Sequence, residues 1–290
     1  MTKNKLAFSV MELAAVVLVI GLITVGIIKG TSLIRSSQLS SARSLTVKSR
    51  ISEISGMVAW YETSMIESLN PAQTTDLSQI TEWRDISPGS IAAQKNKLTR
   101  GASNTVTYKT EGINDLPSIN FSSSGSISLA AFYQGGIGQN TIFVVMRPTV
   151  AVGGTTLTLV DSHSSSSTNS MFGIISNKIW FDLGSSLGTA AVSNVPAFTA
   201  NSNYIVASYY DNTNSKAFVN NATSMAGGTV ISPGTNQMNG LTIGSNRTNT
   251  TPFTGLISEV IIFDRPLPIE ERKSVMSYLS KKYKITVSGI

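Results

Sequence analysis

The first apolar run of the chain covers residues 8–28 and contains one charged side chain, Glu12. A helix rises about 1.5 Å per residue, so this run predicts a helix that could cross the roughly 30 Å apolar layer of a bilayer. Lys3 and Lys5 are the charged side chains of residues 1–7, which predicts that this short leader stays on the cytoplasmic side. A carboxylate within such a helix is costly and usually marks a function.

Apolar residues continue at helical spacing beyond the first run, as far as Asn70-Pro71, where a helix should end. We therefore expect one helix over residues 8–70, with residues 8–28 in a membrane or a filament core and the remainder against a globular domain. The apolar positions at steps of three and four are Val47, Ile51, Ile54, Val58, Tyr61, Met65 and Leu69.

Beyond residue 72 the pattern changes to short runs rich in Val, Ile, Thr, Phe and Tyr, separated by Gly, Asn and Ser. Many short strands with little helix between them indicate an antiparallel β-sandwich over residues 71–290. Two gaps, at Ser176-Asn177 and at residues 211–214, have the length and composition of hairpin turns. The expected strands are 105–110, 118–121, 127–132, 141–147, 155–160, 171–175, 178–183, 204–210, 217–220, 241–243 and 256–263.

The last amphipathic segment, residues 268–285, predicts a C-terminal helix. Glu270 and Glu271 lie in its first turn and Lys281 and Lys282 in its last, which is the distribution that a helix dipole favours. The combined prediction is an α+β chain with a long N-terminal helix, an antiparallel sandwich and a C-terminal helix.

The start of the first apolar run carries a family resemblance. The stretch Ala7-Phe8-Ser9-Val10-Met11-Glu12-Leu13 resembles the cleavage and methylation motif of type IV prepilins, with Ala7 where that family prefers glycine. The resemblance implies that a prepilin peptidase cuts between Ala7 and Phe8 and that the new Phe8 amine is methylated. It also implies that Glu12 pairs with the N-terminus of a neighbouring subunit during assembly. A plain membrane anchor is the alternative, whereas residues 29–35 fit a signal-peptide cleavage site poorly.

The remainder of the chain resembles a second family. Several of its motifs resemble, in the same order, those of laminin-G-like, concanavalin A-like domains. The resemblance implies a jelly roll of two sheets. Asn221 stands where that family has glycine, so we expect a positive φ there. The matching segments are Trp83-Arg84-Asp85-Ile86-Ser87, Leu116-Pro117-Ser118-Ile119-Asn120-Phe121, Ala217-Phe218-Val219-Asn220-Asn221, residues 253–263 and residues 267–283.

Composition excludes several kinds of site. The chain has no cysteine, which removes disulfides, thiolate metal sites and cysteine nucleophiles, and its single histidine is too few for a histidine metal cluster. The net charge of +6 comes from scattered basic residues, so we expect no nucleic-acid partner. The apolar content of 41% and charged content of 13% are typical of a Ser/Thr/Asn-rich extracellular β protein.

Glycosidases of related fold use two facing carboxylates, often from one strand. Here Glu259 has only Asp264 nearby in the sequence, five residues away, so we expect Glu259 to have a structural role or to lie at a rim. Asp161, Ser162 and His163 are consecutive and cannot converge as a catalytic triad does, which indicates a solvated loop.

Calcium is a possible ligand, because related domains bind it through Asp and Asn oxygens in loops. The candidate ligands are Asp161, Asn169, Asp211 and Asn212, although they form no recognised ligand loop. We expect no other cofactor.

The sequence therefore predicts a non-enzymatic, structural or adhesive pilin subunit. Its partners would be other pilin subunits, the prepilin peptidase and a surface glycan or protein receptor. It would reside in the bacterial inner membrane as a precursor and then in a surface pilus. The alternatives are a pseudopilin of a secretion or DNA-uptake machine and, as a distant third, a glycan-active enzyme.

Overall fold

A computed structural model describes residues 9–90, 96–102, 104–132, 138–163, 170–176, 178–183, 190–192, 198–223 and 236–290. The first helix, α1, spans Val10–Lys48. Ser9 caps its N-terminus and forms a reciprocal capping box with Glu12, which satisfies backbone N–H groups that the first turn leaves free. Within the described residues, no helix combines the length and the apolar character that a bilayer span requires, so the predicted membrane segment at residues 8–28 is not confirmed.

The predicted helix end at residue 70 is wrong, because α1 ends at Lys48 and strand β1 follows at Met57–Glu62. Ser49 has an extended backbone, and Gly56 has a φ of +82°, which favours glycine. The apolar spacing at Val58 and Tyr61, which predicts a helix, also fits a strand that is buried on both faces. Ala59 and Trp60 pack into different hydrophobic clusters. The sandwich domain therefore begins at residue 57 and not at residue 71.

The strands form two antiparallel sheets. The central sheet has the order β13-β12-β7-β15-β5-β4, with β1 also paired to β15, and the outer sheet has the order β11-β10-β9-β8-β14-β6-β3-β2. The second helix, α2, spans Ile269–Tyr283. The strands after β1 are β2 Glu82–Trp83, β3 Leu98–Arg100, β4 Val106–Lys109, β5 Ser118–Phe121, β6 Ile127–Leu129, β7 Asn140–Pro148, β8 Thr156–Asp161, β9 Met171–Ile175, β10 Lys178–Asp182, β11 Ala190–Val192, β12 Tyr204–Tyr210, β13 Lys216–Val219, β14 Leu241–Ile243 and β15 Gly255–Phe263.

The central sheet is buried on both faces. Along β7, Ile142 and Val144 pack into the core between the two sheets, whereas Phe143 and Val145 pack into a second core beneath the helices. The alternation follows from the two-residue period of a strand. The domain therefore has three layers, with α2 and the C-terminal part of α1 on the outer face of the central sheet.

The antiparallel sandwich and the C-terminal helix are confirmed. Most of the expected strands are found within one residue of their predicted ends, and both expected hairpins join neighbouring strands. Within the described ranges, the strands β1, β2, β3 and β11 have no counterpart in the prediction. The expected positive φ is found at Asn220, with a φ of +48°, and not at Asn221, because Asn221 instead forms a bridge to Ser288.

Candidate assembly helix and its junction with the sandwich domain

Helix α1 divides into two halves with opposite surroundings. In the N-terminal half, Val10 and Met11 are each 84% exposed, and the apolar side chains from Leu13 to Ile23 remain largely exposed. In the C-terminal half, Ala42 and Thr46 are buried against the sandwich domain. One continuous helix therefore joins an uncovered apolar surface to a packed domain.

Glu12 lies on the first turn of the uncovered half. Its Oε2 accepts a hydrogen bond from the Ser9 backbone N–H at 2.8 Å, and its own N–H donates to Ser9 Oγ at 3.2 Å. The carboxylate therefore sits at the helix N-terminus, where the helix dipole favours a negative charge. Ala7 and Phe8, the predicted cleavage site, lie outside the described residues.

Three polar contacts fix the packed half of α1 to the sandwich domain. Arg43 donates from Nε to the Ser64 carbonyl at 2.7 Å, and the Thr46 and Tyr278 hydroxyls lie 3.0 Å apart. Arg35 forms a 2.7 Å ion pair with Glu111, in which both side chains are about half exposed. The Thr46–Tyr278 contact is buried and the Arg43 contact is partly buried, whereas the Arg35 pair is screened by water.

A buried ion cluster lies directly beneath this junction. Lys282 Nζ is 2.7 Å from Glu62 Oε2 and 2.8 Å from Glu259 Oε2, and these three side chains have no exposed surface. The ammonium also donates to Thr46 Oγ1 at 2.8 Å. This group, which we call the Lys282 cluster, connects α1, β1, β15 and α2.

Glu259 is held by three aromatic side chains. Trp60 Nε1 donates to its Oε1 at 2.6 Å, Tyr278 donates to the same oxygen at 2.9 Å, and Tyr283 donates to Oε2 at 2.9 Å. Burial raises the pKa of Glu259, and the charge of Glu62 raises it further, against the opposing effect of Lys282. Burial and Glu62 therefore oppose the charged form of Glu259, whereas Lys282 and the Trp60 N–H favour it.

Glu62 has a different set of donors. Its Oε2 accepts from the backbone N–H of Ser64 at 2.8 Å and from the Ser64 hydroxyl at 2.7 Å, and its Oε1 accepts from the Met65 N–H. These donors contact both carboxyl oxygens of Glu62 and fix its orientation. Burial alone would lower the pKa of Lys282, but the charges of Glu259 and Glu62 raise it above its ordinary value. The ammonium form of Lys282 is therefore favoured between the two carboxyl groups.

The sequence located Glu259 but not its partners. It lies in the interior and not at a rim, and it pairs with Lys282 and, across the ammonium, with Glu62. Lys282 lies in the last turn of α2 as predicted, but its side chain is fully buried and pairs with two carboxyl groups. The sequence signal for this cluster is Glu259, a charged residue within the apolar strand β15. Its partners come from distant parts of the chain, which single-sequence patterns do not connect.

The predicted solvated loop at Asp161 is wrong, because Asp161 is the last residue of β8 and neither Asp161 nor Ser162 has exposed surface. Its Oδ1 accepts from the N–H groups of Ser162 and Ser170, and its Oδ2 accepts from the N–H of Arg247 and forms a 3.2 Å ion pair with that side chain. The His163 N–H donates to the Asn239 carbonyl. Asp161 thus holds loop backbones together and forms no triad with its neighbours.

The calcium candidates do not share one set of contacts. Asp161 ends a strand of the outer sheet, whereas Asp211 follows a strand of the central sheet and accepts from Gln139 Nε2 at 2.8 Å. Asn212 begins a short turn, and Asn169 lies outside the described residues. In the part of the chain that the structure describes, no three His, Cys, Asp or Glu side chains are grouped as metal ligands.

The fold and the sequence identify the family of the sandwich domain. Residues 120–271 match the model of the concanavalin A-like lectin/glucanases superfamily, in its laminin G form. The chain belongs to this superfamily. The match confirms the laminin-G-like resemblance. It begins downstream of residues 7–13, so the pilin resemblance stays a prediction.

Solved structures of similar fold include binding and catalytic proteins. Domain 4 of the extracellular arabinanase AbnA from Geobacillus stearothermophilus, solved with arabinotriose, is 15% identical with a TM-score of 0.52, and the match covers 76% of this chain and 97% of that one. The binding domain of Paraclostridial Mosquitocidal Protein 1 is 12% identical with a TM-score of 0.53, covering 79% and 53%. A Trypanosoma rangeli sialidase, solved with 2,3-difluorosialic acid, is 13% identical with a TM-score of 0.50, covering 79% and 33%.

At these identities the likeness shows the fold alone. The chain spans about half of the mosquitocidal binding domain and a third of the sialidase. A search of the curated proteins found no match. As a concanavalin A-like domain, the sandwich has a lectin-type architecture. Its mid-strand Trp180 is only 6% exposed and therefore offers little surface for stacking on a sugar.

Proposed function

We propose that the chain is a pilin-like subunit that polymerises through helix α1 and displays a lectin-like sandwich domain at the cell surface. The observation that carries the proposal is the division of α1, whose N-terminal half exposes apolar side chains while its C-terminal half is fixed to the domain. A row of exposed large apolar residues is unfavourable in water and requires a partner. Packing against α1 of further subunits would bury them, and the domains would then project outward.

Glu12 supports the same proposal. Its carboxylate lies on the exposed N-terminal turn of α1, where a neighbouring subunit can reach it. In a helical polymer, the cleaved N-terminal amine of one subunit would neutralise Glu12 of the next. A buried charge needs such a partner, and the pairing would fix the axial position of the subunits.

The sandwich domain is proposed as the receptor-binding part. Its superfamily contains lectins, and the arabinanase domain of similar fold was solved with arabinotriose. A surface glycan is therefore the proposed receptor class. Purified filaments should bind to an array of plant and bacterial oligosaccharides, with arabinotriose as the first probe. Absence of binding to every glycan would remove the lectin part of the proposal but not the assembly part.

The proposed function includes no enzymatic activity. Glu62 and Glu259 are a pair of nearby carboxylates, as a glycosidase requires, but both are sealed from solvent and separated by Lys282. A polysaccharide has no access to them, and a substrate-binding cleft would need to expose them.

The deciding experiment is to shear surface material from cells and to identify its main protein and its N-terminus. We expect filaments whose subunits begin at a methylated Phe8. Mature protein that remains in the inner membrane without surface filaments would favour the pseudopilin alternative. Assembled protein that retains residues 1–7 would contradict the pilin assignment.

The sharpest variant is Glu12→Leu, with Glu53→Leu as the matched control. Glu53 is an exposed glutamate just beyond α1. Glu12→Leu should abolish filaments or strongly reduce them, because the neighbouring amine loses its partner at every subunit contact. It should leave cleavage and domain folding intact. Glu53→Leu should assemble normally. Normal filament yield from Glu12→Leu would refute the assembly role and favour a plain anchor.

A further inference from the structure

The Lys282 cluster places an amine and two carboxyl groups in one sealed site. Lys282 Nζ lies 2.8 Å from Glu259 Oε2 and 2.7 Å from Glu62 Oε2, and water has no access to any of the three. From this geometry we propose that Lys282 and Glu259 condense to an intramolecular amide bond, with Glu62 as the base, which links α2 covalently to β15. The step is a property of the sandwich domain and does not depend on filament assembly.

The surroundings distinguish the two glutamates. Glu62 accepts hydrogen bonds from two backbone N–H groups and a hydroxyl, which fix its position beside Lys282. Glu259 has no backbone donor among its contacts and is surrounded by Trp60, Tyr278 and Tyr283, and burial raises its pKa. A protonated carboxyl group can be attacked by an amine, whereas a carboxylate cannot. Two fixed side-chain donors converge on one oxygen of Glu259, and burial makes its protonated form more accessible than that of an ordinary glutamate, so we assign Glu259 as the electrophile and Glu62 as the base.

The donors at Glu259 fit the requirements of the attack. Trp60 N–H and Tyr278 O–H both point at Oε1, where negative charge develops as the nitrogen adds to the carboxyl carbon. Fixed donors at such an oxygen stabilise the tetrahedral intermediate. Oε2 is the leaving oxygen, and it is contacted by the Tyr283 hydroxyl and by Lys282 itself. Lys282 Nζ, the attacking atom, therefore already contacts Glu259 Oε2, the oxygen that departs.

Atoms and charges balance without any co-reactant. The ammonium of Lys282 gives one proton to Glu62 and becomes a neutral amine, which is the nucleophilic form. The nitrogen bonds to the Glu259 carboxyl carbon, and the bond from that carbon to Oε2 breaks. Oε2 leaves as water with its own proton and a second proton from the nitrogen. The products are one amide, one water molecule and a neutral Glu62 in place of the initial charged pair.

The test is the intact mass of the full-length chain purified in detergent under denaturing conditions. We expect a mass that is one water below the value calculated for the processed sequence. Proteolysis should then release a branched peptide that joins the β15 segment to the α2 segment, and no cleavage should occur after Lys282. The mass calculated for the unlinked chain, or a water loss located elsewhere, would overturn the proposal.

Three variants separate the chemistry from folding. Lys282→Arg keeps the charge and Glu62→Gln removes the base, so both should show the full unlinked mass. Lys281→Arg, at the exposed neighbouring position, should retain the loss of water. If a cluster variant fails to fold, the branched peptide in the wild-type chain still decides the question. A water loss that persists in Lys282→Arg would contradict the proposed link.

Discussion

The two halves of helix α1 have similar secondary structure but different relations to the rest of the molecule. From Val10 to Ile23 the apolar side chains are mostly exposed, and the described polar contacts of Ser9, Glu12 and Thr24 stay within the helix. From Arg43 to Thr46 the side chains reach Ser64, Tyr278 and Lys282 of the sandwich domain. The comparison shows that the described side chains from Val10 to Ile23 are left uncovered by the sandwich domain, so they remain available for another molecule.

The largest expected effect in the packed region comes from Lys282→Met. The variant removes the basic group between Glu62 and Glu259, whether that group is ion-paired or linked as an amide, and loss of one member of a buried ionic group costs about 3–5 kcal/mol. Denaturation of the chain in detergent, followed by tryptophan fluorescence, should report this loss, because Trp60 and Trp83 are buried in the domain. The exposed-neighbour control Lys281→Met should unfold like the wild type. A Lys282→Met variant of wild-type stability would show that the cluster does not hold α1 in place.

The next effect is a loss of stability at alkaline pH. Burial, with the charge of Glu259, raises the pKa of Tyr278 and of Tyr283 well above the ordinary value of 10.0. Only the unfolded chain then releases these protons as pH passes that value, so the free energy of unfolding should be steady below it and fall above it. Unfolding midpoints measured across this range test the prediction. Replacing both tyrosines by phenylalanine should flatten the decline, and an unchanged decline would assign it to other groups.

A matched pair of threonines compares the two halves directly. Thr46→Val removes a buried hydroxyl that contacts both Tyr278 and Lys282 and should cost about 1–3 kcal/mol. Thr24 is in the exposed half, and among the described contacts its hydroxyl donates to the Ile20 carbonyl of its own helix. Thr24→Val should therefore leave domain stability unchanged in the same denaturation experiment. Equal effects of the two replacements would contradict the division of α1.

The smallest effect is expected at the boundary between the halves. Arg35→Ala removes the ion pair with Glu111, which is about half exposed on both sides. Pairs of this kind contribute about 0–1 kcal/mol and weaken with salt. Denaturation at low and high ionic strength measures both properties. A loss comparable with that of Thr46→Val would extend the packed half of α1 toward residue 35.

The sequence predicted the sandwich well because its strands are short, apolar and separated by turn residues. It failed at the end of α1, where residues 57–62 fit a helical spacing and a doubly buried strand equally well. The structure resolves the ambiguity through pairing of β1 with β15, a contact between distant segments that local periodicity does not contain. Short strands such as β2 and β3 depend on the same kind of long-range pairing.

The candidate sites show the same limit in more detail. Glu12 could be singled out because it is the one charge in a long apolar run. Glu62 and Lys282 could not, because each lies among ordinary polar neighbours and they are separated by 220 positions in the chain. Sequence patterns therefore identify a group that contradicts its local surroundings, whereas they miss groups that become unusual only when the chain folds.

The junction between α1 and α2 also sets an order of events during synthesis. Thr46 and Tyr278 are in contact although they are 232 positions apart, so a segment that is synthesised early packs against one that is synthesised much later. Before α2 has been made, α1 can reach Ser64 through Arg43 but lacks its contacts with Tyr278 and Lys282. A chain that is truncated before Tyr278 would therefore leave the docking of α1 incomplete.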